Sequence, residues 1–457
     1  STISFRIMST EKIDRRLFLK TLGLTATGVA LAGCGKASDN GNAQSVENGE
    51  MTCRTSATGD RVSLLGFGCM RFPTIGNERG AAPDQEGVNE LVDYAIEHGV
   101  NYFDTAPVYH GGLSESTIGT ALQRHPREKF FVATKLSNMR GEKTLEAGRE
   151  MYLASMRNLK VDYIDYYLLH AIGGSIEDFN ARFMDNGLLD FLLEERRAGR
   201  IRNLGWSFHG KQECFDYVLA MHETVHWDFV QIQLNYKDWN HAGANNVNAS
   251  YLYGELAARG IPVVVMEPLL GGRLANLPGN IYHKMLERKP AASVASWAFR
   301  YAGSRPGILT VLSGMTYMEH LQDNLHTYSP LQCCSDEEYA FLEQMAELMI
   351  QYHLIECTAC NYCLPCPYGV DIPAIFSHYN KCVNHSLLPQ SSDENGYRKL
   401  RRAFLVGYDR AVPSIRQADH CINCAECVKK CPQHIAIPRE LRRINDYAET
   451  LKQGKEF

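Results

Sequence analysis

The fold of this chain is decided by residues 99–119, which read GVNYFDTAPVYHGGLSESTIG. Residues 100–103 form an apolar run that predicts a buried strand, and Asp104 places a carboxylate where that strand ends. Tyr109 follows in a loop rich in Pro and Gly, and a helical pattern begins at Ser114. Taken singly, these two residues are better explained as a helix-capping Asp and an ordinary loop Tyr. In parallel α/β folds, however, side chains at the carboxyl ends of strands are placed for chemistry.

Strands and helices alternate over residues 60–330. Predicted strands lie at 62–66, 100–104, 130–135, 164–170, 201–207, 229–233, 262–267 and 308–313. Helical patterns occur between them, for example at 86–98, 146–159, 187–198, 251–259 and 291–301. This alternation predicts an α/β fold of the (β/α)8 TIM barrel type. An open doubly wound sheet is the competing architecture, but no Gly-rich dinucleotide fingerprint follows the first strand.

The stretch 99–119 resembles the signature of the aldo/keto reductases, G-x-N-Y-F-D-T-A-x-x-Y followed by G-x-x-E-x-x-I-G. Two further strand ends extend the resemblance, since Lys135 closes FFVATK and His170 closes IDYYLLH. With Asp104 and Tyr109 they match the Asp–Tyr–Lys–His tetrad of that family. The resemblance implies that a carbonyl and an alcohol group of a small-molecule substrate are interconverted by hydride transfer from NAD(P)H.

The chemistry of carbonyl reduction explains why these four residue types belong together. Hydride delivery leaves negative charge on oxygen, so a proton donor such as Tyr109 must stand nearby. The reference pKa of tyrosine is about 10, and a neighbouring ammonium from Lys135 is expected to lower it. Asp104 would hold Lys135, and His170 would orient the carbonyl. Singly, Lys135 reads as a surface lysine and His170 as a core histidine.

The family resemblance also implies contacts to the nicotinamide cofactor. Ser207 and Gln231 match the residues that bind the carboxamide, although Phe208 stands where Asn is usual. Glu267 stands where a tyrosine usually stacks on the ring, which leaves room for a different organic cofactor. Basic residues that usually meet a 2′-phosphate are missing, so NADP is not favoured over NAD. The remaining predicted contacts are Gly271, Gly272 and Arg273 for the pyrophosphate, and Ser313, Gly314 and Asn324 for the adenosine.

Eight of the fifteen cysteines lie in two tight runs, CTACNYCLPCP at 357–367 and CINCAECVKKCP at 421–432. The second run resembles the C-x2-C-x2-C-x3-C-P pattern of two-cluster ferredoxins, and the first departs from it by one residue. The resemblance implies two [4Fe–4S] clusters. One takes Cys357, Cys360, Cys363 and Cys431, and the other takes Cys366, Cys421, Cys424 and Cys427. Zinc is the alternative for any C-x2-C pair.

The amino-terminal residues predict export. Residues 14–20, DRRLFLK, resemble a twin-arginine signal, and LAGC ending at Cys34 resembles a lipobox. A soluble helix with a chance Arg pair is the alternative. We therefore expect export by the twin-arginine route to the cell envelope, where a lipidated Cys34 would bind the membrane surface. Residues 35–59, poor in large apolar side chains, predict a flexible tether.

Length and charge set the remaining limits. A chain of 457 residues predicts one large domain and a second, smaller one. A formal charge of -5 without a basic cluster argues against nucleic acid as a binding partner. No apolar stretch is long enough for a transmembrane helix. The expected organisation is a signal region at 1–34, the tether at 35–59, the barrel at 60–330, and a mainly helical ferredoxin-type iron–sulfur module at 331–457.

Two functions follow from these features. In the first, a membrane-tethered oxidoreductase uses the tetrad, and its clusters relay electrons to or from an external partner. In the second, an electron-carrier or interaction lipoprotein has lost turnover and keeps the barrel as a scaffold. The altered positions Phe208, Glu267 and His320 support the second function, whereas the complete tetrad argues against it.

Overall fold

The structure is a computed structural model that describes residues 49–76, 80–243, 246–389, 392 and 395–454. All of these belong to one compact unit of the chain, Ala32–Phe457. The predicted twin-arginine signal and Cys34 lie outside the described residues. Among the helices that are described, none combines the length and apolar character needed to cross a bilayer.

Eight parallel strands form the closed barrel that the sequence predicts. The strands are β3 Leu65–Gly68, β4 Tyr102–Asp104, β5 Phe131–Leu136, β6 Ile164–Ile172, β7 Ile201–Phe208, β8 Phe229–Gln233, β9 Val263–Met266 and β10 Ile308–Ser313. Their order around the barrel is β10-β3-β4-β5-β6-β7-β8-β9, and the ring closes because β10 pairs in parallel with both β3 and β9. An open doubly wound sheet is thereby excluded.

Helices surround this barrel and build the carboxyl-terminal module. Around the barrel they are α1 Gln85–Glu97, α2 Ser114–Leu122, α3 Leu145–Leu159, α4 Ile176–Phe179, α5 Leu188–Arg197, α6 Gln212–Ala220, α7 His222–Val225, α8 Asp238–His241, α9 Ala249–Ala258, α10 Gly279–Arg288, α11 Val294–Gly303, α12 Met318–Tyr328 and α13 Asp336–Ile350. In the module they are α14 Ile372–Asn384, α15 Tyr397–Ala411 and α16 Ile437–Gln453.

Strand β6 shows why the apolar runs are nearly continuous. Its Tyr166 and Leu168 belong to the core inside the barrel, together with Tyr102 from β4. The alternate residues Tyr167 and Leu169 belong to the core between strands and helices. A barrel strand is buried on both faces, so apolar residues occupy both, and the polar Asp165 and His170 that interrupt the run are themselves buried.

The amino end of the barrel is covered by a short hairpin of β1 Cys53–Thr55 and β2 Arg61–Ser63. Here the structure differs from the predicted tether at 35–59. Met51 is buried, and Asp60 accepts a hydrogen bond of 2.9 Å from Tyr166 Oη. Local composition did not reveal that the hairpin is ordered, because its order comes from contacts with the amino end of the barrel that it covers.

The boundary between barrel and module also differs from the predicted one at residue 330. Helix α13 begins with a capping box between Ser335 and Glu338, and its Leu342 and Met345 pack into the barrel core. A separate core begins at Ile355. Helix α13 is therefore the last helix of the barrel layer.

The long insert between the cysteine runs builds the module rather than docking it. Phe404 and Tyr408 of α15 pack with α16 in the second core. From this insert, Asn384 donates a hydrogen bond of 2.6 Å to the backbone oxygen of Asn276 in the barrel. Most of the docking contacts come instead from the segments that carry the cysteines.

The module docks at the mouth of the barrel, where the strands have their carboxyl ends. Glu356 forms ion pairs with Lys237 at 3.1 Å and with Arg273 at 2.5 Å. On the other side, Gln433 donates a hydrogen bond of 3.0 Å to Gln233, the last residue of β8. These contacts place the first cysteine run directly over the barrel interior.

Glu356→Gln should loosen this docking. Lys237 and Arg273 are 4% and 11% exposed, so losing their carboxylate leaves two poorly hydrated cations. Because Glu356 itself is partly exposed, we expect a loss of about 1–3 kcal/mol in the free energy of local opening. Hydrogen exchange of residues 352–363 in anaerobically purified protein measures it.

Glu343→Gln is the matched control. Its carboxylate pairs with His241 at 2.9 Å and is similarly exposed, but the pair lies within the barrel layer. Exchange in 352–363 should be unchanged in this variant. Equal exchange in both variants would show that Glu356 does not hold the module.

Candidate active site and cysteine clusters

Three strands bring the predicted tetrad to one place. Asp104 is the last residue of β4, Lys135 lies near the end of β5, and His170 lies near the end of β6. Tyr109 begins a single turn in the loop after β4. All four side chains are buried at the barrel mouth. The grouping arises because parallel strands present their carboxyl ends to the same face.

Asp104 and Lys135 form a buried ion pair. Lys135 Nζ donates to Asp104 Oδ1 at 2.5 Å and to the backbone oxygen of Thr105 at 2.8 Å. Burial raises the pKa of Asp104, and the ammonium opposes that rise. Asp104 Oδ2 has no hydrogen-bond partner among the described residues. The lysine therefore has one fixed position, 5.2 Å from the centre of the Tyr109 ring.

His170 is held as a neutral imidazole. Burial lowers its pKa well below the ordinary value, and the charges of Lys135 and Arg182 lower it further. Nδ1 lies 2.6 Å from Ser137 Oγ, and Arg182 donates a hydrogen bond to the backbone oxygen of His170. With Nδ1 engaged, Nε2 is the ring nitrogen that can meet a ligand. The ring stands edge-on to that of Tyr109, with centroids 6.1 Å apart.

The pKa of Tyr109 differs from the sequence-based expectation. Burial raises it well above the usual value, and the neighbouring Tyr362 and Asp104 raise it further. A lowering by Lys135 was expected, but the lysine charge is balanced by Asp104 and water is kept away from the phenol. In this state Tyr109 is a neutral proton donor.

A cavity of about 500 Å³ opens beside the tetrad and carries polar groups suited to a nicotinamide. Gln231 donates through Nε2 to Met266 Sδ at 3.5 Å, while its buried Oε1 has no partner among the described residues. Ser207 Oγ accepts a hydrogen bond from Ala171 N and keeps its own proton to donate. A carboxamide group offers a donor for Gln231 and an acceptor for Ser207, so these residues fit it. Phe208 points instead into an aromatic core with Trp206 and Phe215.

The predicted adenosine contacts line the other end of the cavity. Asn324 donates to Ser313 Oγ at 3.0 Å, and both side chains are buried. Gly314 lies against Arg71, and a Cβ at this position would come within 2.5 Å of the Arg71 side chain. Arg71 was missed in the sequence, although a basic residue just after the first barrel strand is a usable signal. The acidic residues Glu319 and Asp323 also line this end.

The predicted pyrophosphate loop is shared between the cavity and the module. Gly271 has a φ of 66°, and a Cβ there would lie 2.3 Å from the backbone oxygen of Thr358. Arg273 is paired with Glu356, while Gly272 faces the cavity. Burial raises the pKa of Glu267 to about 7, and its Oε2 has no partner among the described residues. In this arrangement Arg273 and Gly271 serve the docking of the module.

The eight cysteines of the two runs converge as two groups. Cys431 lies close enough to Cys357, Cys360 and Cys363 for their charges to interact. The members of the second group are related in the same way, and they are Cys366, Cys421, Cys424 and Cys427. This grouping is the one that the crossed assignment expects, and the assignment of each cysteine to a cluster, including the departing Cys366, stays a prediction.

A single metal ion suits these groups less well than a larger cluster. Zinc needs its sulfurs at about 2.3 Å from one point. Two runs of four cysteines, each ending in Cys-Pro, resemble the donor set of a two-cluster ferredoxin, so the donor set fits [4Fe–4S] better than zinc.

Tyr362, between two predicted cluster ligands, was missed by sequence reasoning. Its ring stands edge-on to His170 with centroids 6.5 Å apart, and its side chain lines the same cavity as Tyr109. Arg140 holds its backbone oxygen at 2.8 Å. No motif predicts this contact, since it joins residues that are distant in the chain.

Two family models match the chain. Residues 64–347 match the aldo/keto reductase family, and residues 356–437 match a 4Fe-4S dicluster domain. L-galactose dehydrogenase of Arabidopsis thaliana is 26% identical over 309 residues, covering 64% of this chain and 92% of that protein. NADH-specific methylglyoxal reductase of Escherichia coli is 26% identical over 293 residues, covering 55% and 85%.

Solved structures agree on the architecture of the barrel. An aldo-keto reductase from Bacillus halodurans, in its holo form, superposes with a TM-score of 0.53 at 24% identity. The match covers 65% of this chain and 96% of that structure. At this identity the likeness establishes the fold alone.

His170 should make stability depend on pH. The unfolded chain binds a proton on this residue below about pH 6.5, whereas the folded chain does not, so the free energy of unfolding falls as pH drops. In His170→Gln that loss should be smaller by up to ~1.4 kcal/mol per pH unit between about pH 6.5 and 5. Anaerobic urea denaturation measures it. Parallel curves for wild type and variant would mean that His170 is protonated in the folded protein.

Proposed function

The chain belongs to the aldo/keto reductase family, and we propose that it interconverts a carbonyl and an alcohol by hydride transfer with a nicotinamide cofactor, while two [4Fe–4S] clusters relay electrons. The observation that carries the proposal is the buried Lys135–Asp104 pair beneath Tyr109, beside a neutral His170. This set stands next to a cavity in which Gln231 Oε1 has no hydrogen-bond partner among the described residues.

The chain's own residues supply the proton and the orientation. A nicotinamide, when bound, donates or accepts the hydride. Tyr109 donates its hydroxyl proton to the carbonyl oxygen as the carbon becomes an alcohol carbon. His170 Nε2 donates a hydrogen bond to that same oxygen. Lys135 stabilises the tyrosinate left behind, and Asp104 keeps the ammonium in place.

Cofactor preference follows from the charges at the adenosine end of the cavity. Glu319 and Asp323 line this end, and Gly314 and His320 stand where a basic residue is usual. Arg71 also lies here, but its guanidinium donates a hydrogen bond to the backbone oxygen of Thr358 in the module. Negative charge disfavours a 2′-phosphate, which supports NAD over NADP. Methylglyoxal and L-galactose, which appear in the names of two relatives, are the first substrates to test.

Clusters held by these cysteines would supply a one-electron route to a two-electron site. The first cysteine group lies at the barrel mouth, where Cys360 lines the cavity, and Cys424 of the second group is exposed. One group at the cavity and one reaching the surface support a path toward an external redox partner. The proposal also includes export by the twin-arginine route and a lipid anchor at Cys34 in the cell envelope. A folded, cofactor-loaded protein is what that route carries.

Tyr109→Phe tests the proton donor. Removing the hydroxyl should lower kcat by about 10²–10⁴-fold, the usual contribution of a positioned acid, with iron content unchanged. Turnover of methylglyoxal with NADH measures it. Tyr102→Phe is the matched control, because the Tyr102 hydroxyl is buried without a partner among the described residues and its loss should not slow turnover. Full activity in Tyr109→Phe would overturn the assignment of the donor.

Analysis of bound groups tests the cofactors. Protein purified without oxygen and extracted with acid should release NAD(H) or NADP(H) and about eight iron atoms per chain, as two cubanes require. Iron without nicotinamide, and no binding of added nucleotide, would favour the electron-carrier function. Zinc in place of iron would contradict the cluster assignment.

A further inference from the structure

The first cysteine run inserts a tyrosine into the catalytic site. Tyr362 follows Cys360 by two residues and precedes Cys363 by one. Its ring lies edge-on to that of His170 at 80°, with centroids 6.5 Å apart, and it lines the same cavity as Tyr109. A residue of the iron–sulfur module therefore stands next to the two groups that would bind a carbonyl oxygen.

Tyr362 lies where substrate has to bind. Proton transfer requires the carbonyl oxygen within about 2.6–3.2 Å of the Tyr109 hydroxyl, and His170 Nε2 must reach the same oxygen. Tyr362 lines the same cavity, and its ring stands against the edge of His170. A carbonyl group that reaches both Tyr109 and His170 enters the space that Tyr362 borders, so its approach requires Tyr362 to move.

The segment that carries Tyr362 is anchored on the barrel side. Arg140 donates to the backbone oxygen of Tyr362, and Arg71 donates to that of Thr358 at 2.8 Å. The flanking Cys360 and Cys363 belong to the first cysteine group. These constraints give Tyr362 a defined resting position rather than a free one.

We propose that Tyr362 is a specificity-determining residue, a tethered occupant of the carbonyl site that every substrate must displace. This inference rests on the proposed function, since it assumes that Tyr109 and His170 receive the substrate oxygen. The dicluster module thereby restricts access to the catalytic site of the barrel. Substrates able to compete with a phenol for Tyr109 and His170 are admitted, and weaker ligands are excluded.

Displacement acts on binding and not on the chemical step. Apparent affinity falls in proportion to the fraction of protein whose site is open. Once substrate is bound, Tyr362 has left Tyr109, so proton transfer proceeds as it would without it. Removing the ring should lower KM and leave kcat nearly unchanged, which a merely structural residue would not do.

Tyr362→Ala tests the proposal with methylglyoxal as probe and saturating NADH. We expect KM to fall about tenfold, equal to ~1.4 kcal/mol, with kcat within about twofold of wild type. Tyr362→Phe keeps the ring and loses the hydroxyl, so its KM should fall by about threefold. Tyr368→Ala, an exposed tyrosine of the same module, is the control and should match wild type.

A readout independent of turnover accompanies the kinetics. Adding NADH and methylglyoxal should speed amide exchange in residues 359–364 of wild type, because the tyrosine leaves its site. The same addition should change little in Tyr362→Ala. Iron content and the spectrum of the reduced clusters should be equal in all variants. If Tyr362→Ala loses iron, the comparison of KM with wild type is made with Tyr362→Phe instead.

Several results would overturn the inference. An unchanged or raised KM in variants with intact clusters would show that Tyr362 does not compete with substrate. A collapse of kcat in Tyr362→Ala would make it part of the chemistry, and no methylglyoxal turnover in any variant would show that the freed site admits no small carbonyl. The double variant Tyr109→Phe/Tyr362→Ala separates the two proposals. If the proposed function holds, this double variant should be inactive because it lacks the Tyr109 hydroxyl, whether or not Tyr362 restricts access to the site.

Discussion

The buried ion pair between Lys135 and Asp104 is the constraint on which the site depends. Removing two charges from water costs several kcal/mol per ion, and this is offset only when their geometry is good. Here the ammonium has two short acceptors, Asp104 Oδ1 and the backbone oxygen of Thr105. The neighbouring strands β4 and β5 must keep their register for both contacts to form. The position of Lys135 beside Tyr109 is therefore set by the barrel itself.

The iron–sulfur module completes this site from outside the barrel. Its first cysteine run contributes Tyr362 to the tetrad and Thr358 to the loop of Gly271. Contacts from Glu356 and Gln433 hold the module at the rim. A barrel of this type normally leaves its mouth to its own loops. In this chain a second domain contributes residues to the mouth, so the first cysteine run lies beside the tetrad.

The sequence was a sound guide wherever the information is local. Every barrel strand was predicted within a few residues, because apolar runs, turn residues and a polar residue at the strand end are read from neighbours. The tetrad could be named because residues 99–119 and the strands ending at Lys135 and His170 resemble the motifs of the aldo/keto reductases, whereas a place at a strand end by itself also suits a structural residue. Non-local effects were misjudged. The 49–59 segment looks like a tether until the barrel that it covers is present. The pKa of Tyr109 rises chiefly because folding buries the phenol, and Tyr362, far along the chain, adds to that rise.

Residue types and their spacing alone determined the barrel, the four tetrad residues and the two cysteine runs, since each depends on periodicity or on a short motif. Tertiary structure alone decided which cysteines face one another, where the module docks, and that Tyr362 and Arg71 enter the cavity. It also decided that Arg273 forms an ion pair with Glu356. The physical reason is that these contacts join segments tens to hundreds of residues apart. Their energies appear only when folding brings the segments together.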